Sequence, residues 1–169
     1  MDVSINQIQK LTSPNPFALV STLREDGGTN LMALSWWTYV SNHPATVAIA
    51  LSGRGYSHTR IDETGEFALN IVAETLKEKA FRCGICSGRT CEKAKEFGIE
   101  LLPAQTIAAQ IVQDARAVLE CRVINRIAVA DHVMYLAEVT AAHANEALDA
   151  LYAVNGYAAL SCVDIRQER

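Results

Sequence analysis

Two long runs late in the chain, ARAVLECRVINRIAV (residues 115–129) and HVMYLAEVTAAHA (132–144), are separated only by Ala130 and Asp131. Each reads as a long strand, the first carrying Val118, Val123, Ile124, Ile127 and Val129. A two-residue link is too short for a parallel crossover and forces an antiparallel hairpin. That hairpin limits the fold to architectures built around long antiparallel neighbours.

The front half supplies further strands: FALVSTL (17–23), residues 29–41 and ATVAIAL (45–51). The turn REDGG (24–28) and the break SNHP (41–44) join them, since Asp-Gly and Gly-Gly tolerate positive φ. EFALNIV (66–72) adds one more. Between these strands the pattern turns helical. SGRGYSHTRIDETG (52–65) reads as a glycine loop followed by a short helix, capped by Ser57 and ended by Gly65. AETLKEKAFRCG (73–84) has helical spacing through Leu76, Ala80 and Phe81. CSGRTCEKAKEFG (86–98) is a second loop with a short helix closed by Gly98. ELLPAQTIAAQIV (100–112) is irregular with strand fragments, and NEALDALYAVNG (145–156) predicts a final helix stopped by Gly156. The expectation is a single mainly β domain over residues 1–169, a six-stranded antiparallel barrel with a few inserted helices.

The charges are scattered and sum to −4, without the basic stripe of a nucleic-acid surface. No run is apolar enough for a membrane span, and MDVSINQIQK lacks a signal core. A cytoplasmic protein with its five cysteines as thiols is expected.

Two loops carry candidate chemistry. In SGRGYSHTR the glycines at 53 and 55 let backbone N–H groups approach a ligand, and a helix start offers unpaired donors and partial positive charge. Ser52, Ser57 and Thr59 add hydroxyls; Arg54 and Arg60 add charge. The set suits a phosphate monoester, or equally a capped surface helix with solvated arginines. CSGRT (86–90) repeats the recipe with Arg89. The two loops reinforce each other only if they converge in space.

TNLMALSWW, VAIALSGRGYSH, ETGEFALNI, CGICSGRTCEK, LEC and DHVMYLAEV occur in this order. The series resembles the flavin reductase-like proteins with an FMN-binding split barrel, particularly the flavoredoxin branch, over roughly residues 14–140. The resemblance implies a Greek-key antiparallel split barrel, a homodimer, and non-covalent FMN in a groove near the dimer interface. It places the isoalloxazine ring against residues 29–36. There Asn30, Leu31, Met32, Ala33 and Ser35 would meet its polar rim, with Trp36 packing nearby. Trp36 and Trp37, adjacent on one strand, should point to opposite faces. The resemblance puts the phosphate at residues 52–59, around Ser52, Arg54, Ser57 and His58, with Asn70 bracing that loop. SGRTCEK resembles the family's SGRDVDKF and retains Ser87, Gly88, Arg89 and Lys93, for a phosphate or inter-subunit role. ADHVMYLAEV resembles GDHxLFVGEV, with Ala130 and Ala137 in place of glycines. It puts His132 near the flavin or a nicotinamide donor, or makes it a structural hydrogen-bonder.

A flavin carries its own hydride chemistry, so no catalytic triad or general base is expected. The implied activity is an NAD(P)H-dependent flavin reductase passing electrons to free flavin or a protein acceptor. The alternative is a flavoredoxin-like electron carrier serving a redox partner protein. A third class rests on CGIC (83–86) with Cys91, as a redox dithiol or half a zinc site. No second CxxC completes a zinc set, and Cys121 and Cys162 read as buried small hydrophobes. No metal site is expected.

Overall fold

The structure, a computed structural model, describes residues 3–163; the ends of the expected 1–169 domain lie outside the described residues. In chain order it comprises α1 (Ile5–Leu11), β1 (Asn15–Pro16), β2 (Ala18–Leu23), β3 (Thr29–Leu34), β4 (Trp37–Asn42) and β5 (Ala45–Ser52). Then follow α2 (Tyr56–Thr64), β6 (Glu66–Val72), α3 (Lys77–Ile85), α4 (Lys93–Phe97), β7 (Leu101–Leu102) and β8 (Ile111–Val112). The chain closes with β9 (Ala115–Val129), β10 (His132–Ala144), β11 (Leu151–Ala153) and β12 (Leu160–Cys162).

The predicted hairpin is present, β9 against β10, pairing His132 with Val129 and continuing to Ala144 with Ala117. Its turn holds Ala130 at φ 50, a left-handed conformation that glycine adopts at lower cost. Around it the main sheet runs β3-β2-β6-β9-β10-β5-β4, every pair antiparallel. β3 and β4 therefore occupy opposite edges, yet only Ser35 and Trp36 separate them in sequence. A flat sheet of seven strands would set those edges roughly 29 Å apart, while three residue steps reach only about 10 Å. The sheet must curl until its edges meet, and the result is a split barrel.

The expected strand over 29–41 is thus two strands, and the six expected strands become seven. Residues 145–156 form no helix. Leu151 and Ala153 instead alternate into the core, and β11 pairs with β1 and β12. α1 falls on a segment to which the sequence pattern assigns no element. It is started by a capping box between Ser4 and Gln7. No helix of the described residues is long and apolar enough to cross a membrane.

Two cores follow from the period of two along the strands. Val20, Ile49, Phe67, Leu69, Cys121 and Tyr135 fill the barrel. Leu19, Leu31, Ala68 and Val118 face outward and are covered by Ala80 and Cys83 of α3, by Ile107–Val112, and by Leu151 and Leu160. This is why β2 is buried on both faces and reads as a nearly continuous apolar run.

The loop before β8 is pinned by one buried carboxylate. Glu120, fully buried on β9, accepts from the N–H groups of Gln105 and Thr106 and from the Thr106 hydroxyl, and faces His143 Nε2 at 2.7 Å. Burial alone would push its pKa up. The Gln105 N–H, His143 and Thr106 outweigh that and hold it at about 2, from an ordinary 4.5. A depressed folded pKa adds stability above the unfolded value, which is lost as pH falls from 4.5 toward 2. Glu120→Gln is expected to cost about 2–3 kcal/mol in urea unfolding at pH 7, with the gap to the parent narrowing below pH 4.

Candidate functional site

Where the barrel edges meet, Ser35 and Trp36 belong to neither strand. The Trp36 carbonyl accepts from the Ala50 N–H at 2.9 Å, tying the link to β5. Its indole is 43% exposed and lies on the His132 ring, with centroids 4.8 Å apart and planes at 31°. Trp37 turns the other way and packs against the barrel interior, so the two tryptophans face opposite sides as expected.

A groove of about 230 Å³ opens along this seam, walled by Met32, Ala33, Trp36, Ser52, His132 and Tyr157. Beyond Trp36 and His132 it opens into a depression of about 680 Å³ between α1 and the β9–β10 turn. On the other side of Ala33 and Tyr157 lies a cleft of about 210 Å³ lined by Phe17, Phe81, Gly84, Ile85 and Leu160. The Tyr157 hydroxyl accepts the Ser35 N–H at 2.8 Å, so the aromatic ring sits across the end of β3. His132 Nδ1 lies 2.9 Å from Asp131, and that hydrogen bond holds the Asp131 carboxyl below its usual range.

Ser52 begins the loop that leads to α2. The N-cap of α2 is Gly55, with no side-chain cap, so the first-turn N–H groups are open to an anion. Ser57 is therefore inside the helix, not its cap. Its buried hydroxyl accepts from Asn30 Nδ2 at 2.9 Å, and the same amide donates to Thr22. Asn30 Oδ1 is buried without a partner. Gly88 lies directly against it: a Cβ there would sit 2.0 Å from Asn30 Oδ1 and 2.8 Å from Tyr56 Cδ1. Arg89 reaches across to α2, its guanidinium 5.3 Å from the Tyr56 ring centroid and 3.5 Å from Thr59 Oγ1. The two small-residue loops do converge, with Asn30 as the hub between them.

The structure thus gathers Met32, Ala33, Trp36, Ser52 and His132 on one groove, and Asn30, Ser57 and Arg89 where the two loops meet. Arg54 and Ser87 are exposed on the two loops. Leu31 is buried in the outer core, and Ser35 offers a backbone donor. His58 turns to the barrel, with Nδ1 2.6 Å from the Tyr135 hydroxyl and Nε2 3.5 Å from Asp62. Arg60 is not available as an added charge: it is buried, donates to the Leu23 carbonyl and pairs with Glu63. Asn70 does not brace residues 52–59. It bonds to Leu19, Ser21 and the Val112 N–H, joining β2 to β8. Cys121 is buried inside the barrel, while Cys162 is only partly buried, beside the outer core. Tyr157 and Gln9, both on the groove, are not marked as site residues by any motif in the sequence. The Ser4-x-x-Gln7 box is the available signal for the helix that carries Gln9.

Three likenesses bear on this geometry. StyB, an NADH-dependent flavin reductase of Pseudomonas fluorescens, is 30% identical over 132 residues, covering 77% of this chain and 72% of its own. Flavoredoxin of Desulfovibrio vulgaris (Miyazaki F) has the same fold, with TM-score 0.84 at 23% identity, over 96% of this chain and 93% of that one. An FMN-binding protein from Thermus thermophilus, solved with bound p-hydroxybenzaldehyde, superimposes with TM-score 0.81 at 19% identity, over 90% of this chain and 88% of that one. The flavin reductase like domain matches residues 11–161, from the end of α1 into β12, and the chain belongs to that family.

Proposed function

We propose that the protein is a flavoprotein oxidoreductase that holds FMN non-covalently, takes hydride from NAD(P)H and passes electrons to free flavin or a protein acceptor. One observation carries this reading: β3 borders both a mostly apolar groove, through Met32 and Ala33, and the meeting point of two polar loops, through Asn30, and Ser52 on that groove begins the first of those loops. A flavin mononucleotide has that division, a planar ring at one end and a phosphate at the other. The unpartnered Asn30 Oδ1 is an acceptor and suits a hydroxyl of the ribityl chain, and Gly88, which leaves no room for a Cβ, lets the second loop close against Asn30.

In this reading bound FMN supplies the hydride chemistry. The chain's part is placement. Ala33 is small enough for a planar ring to approach the β3 backbone, and Trp36 braced on His132 forms a wall beside it. The Ser35 N–H is a donor for a ring carbonyl, and Tyr157 now accepts it, so ring and phenol compete for one proton. The open first turn of α2, with Arg54 and Arg89, meets the phosphate. His132, held by Asp131, is the group placed beside an incoming nicotinamide. His58 supports α2 from behind through Tyr135 and Asp62. Ser87 bonds to the Arg89 N–H and shapes the second loop.

A homodimer in the cytoplasm completes the proposal. Ile5, Ile8 and Leu11 of α1 and Ile124, Ile127 and Val129 of the outer part of β9 are exposed, on the two elements that flank the wide end of the groove. A second copy covering them would close that end.

The purified protein is expected to show oxidised-flavin absorbance that bleaches on adding NADH or NADPH. Bleaching by dithionite alone would instead support an electron carrier, and a colourless protein that binds no FMN would defeat the reading. Arg54→Ala with Arg89→Ala should weaken FMN binding by about 2–4 kcal/mol in calorimetry while leaving riboflavin little changed. Gly88→Ala should push the second loop off Asn30 and show the same selective loss, measured by quenching of flavin fluorescence.

A further inference from the structure

The three cysteines of CGICSGRTC stand outside the role given to the loop they surround. Cys83 is buried, its thiol is pushed up to about 12 by burial, and its carbonyl accepts from Lys93 Nζ at 2.7 Å. Cys86 closes α3, and Cys91 follows the loop just before α4. Their sulfurs are 3.4 Å apart, in contact but not bonded. Cys86 is partly exposed, Cys91 is buried, and a buried ammonium, Lys93, lies within electrostatic reach of all three sulfurs. Between the pair lies the segment Ser87-Gly88-Arg89-Thr90.

We propose that Cys86 and Cys91 are a reversible dithiol–disulfide pair whose oxidation by a low-molecular-weight disulfide resets the loop between them. The partly exposed Cys86, as thiolate, attacks one sulfur of the small disulfide and expels one thiol. Cys91 then releases its proton to solvent, attacks the Cys86 sulfur and expels the second thiol. Two protein thiols become one disulfide, and the small disulfide takes up the two electrons as two thiols. Burial and contact with Cys86 hold the Cys91 thiol up at about 12, which makes Cys86 the first attacker.

Closing the bond draws the sulfurs together by about 1.3 Å, to ~2.05 Å. The loop has little slack to absorb this. Gly88 abuts Asn30 on one side, and its carbonyl accepts from Arg24 at 2.7 Å. Arg89 is spread over Tyr56. Oxidation therefore shifts the Gly88–Arg89 segment from its place against Asn30 and Tyr56. The consequence for FMN rests on the phosphate reading above; formation of the bond does not.

The test incubates the full chain with oxidised glutathione and maps the products by mass spectrometry. The expected result is loss of the mass of two hydrogens. Trypsin, cutting after Arg89, should yield separate Cys86 and Cys91 fragments joined by a bond that dithiothreitol releases. Cys86→Ser and Cys91→Ser should each abolish it, and Cys83→Ala should not. A stable glutathione adduct on Cys86, a bond to Cys83, or no reaction would overturn the pair. In the same preparations the oxidised form should bind FMN severalfold more weakly than the reduced form, with riboflavin affinity unchanged. Equal FMN affinity in both forms would overturn the coupling to the loop. The mapping needs no flavin, so it tests the cysteine pair even where the protein proves to bind no FMN.

Discussion

The two-residue link between β3 and β4 is the constraint on which the rest of the molecule depends. Placing consecutive strands at opposite ends of a seven-stranded order leaves no solution but a curled sheet. The curl creates an enclosed apolar interior, with Phe67, Ile49 and Tyr135 at its centre. It also leaves a seam whose backbone groups are only partly paired. Trp36 and His132 stack at that seam, and Tyr157 reaches over it. The groove is thus a by-product of closure, set where the ladder cannot continue.

The polar groups of residues 29–37 have distinct fates. Asn30 ties three segments together, with Thr22 on β2, Ser57 on α2 and Gly88 on the second loop. Ser35 presents a backbone donor at the groove. Trp37 is mostly packing, although its Nε1 is buried without a partner. Buried polar groups cost stability unless paired, so the unpartnered Asn30 Oδ1 and Trp37 Nε1 each subtract from what the surrounding packing supplies.

Much of this is legible in one dimension. The β9–β10 hairpin, the loops before α2 and α4, and the glycine stops at Gly65 and Gly98 follow from local chemistry. The ordered series of short stretches carries the family. What is not legible is set by tertiary pairing. Residues 35–36 contain no glycine or proline to announce a break; the break exists because the barrel has to close. NEALDALYAVNG is rich in helix formers, but Leu151 and Ala153 find strand partners in β1 and β12, and those contacts override propensity. Ser57 looks like a cap until Asn30, 27 residues away, claims its hydroxyl. Asn70 looks like a brace for its neighbouring loop and instead joins β2 to β8, which no local pattern reveals.

The arrangement of the seam also bears on how copies of the molecule can meet. β3 and β4 are the two edges of the main sheet, and α3 and α4 pack against β3. The exposed ladder of β4 is interrupted by an irregularity between Tyr39 and Ser41, which discourages the strand-by-strand growth that produces fibrils. Association through side chains pressed face to face would, by contrast, close upon itself by a twofold axis and stop at two.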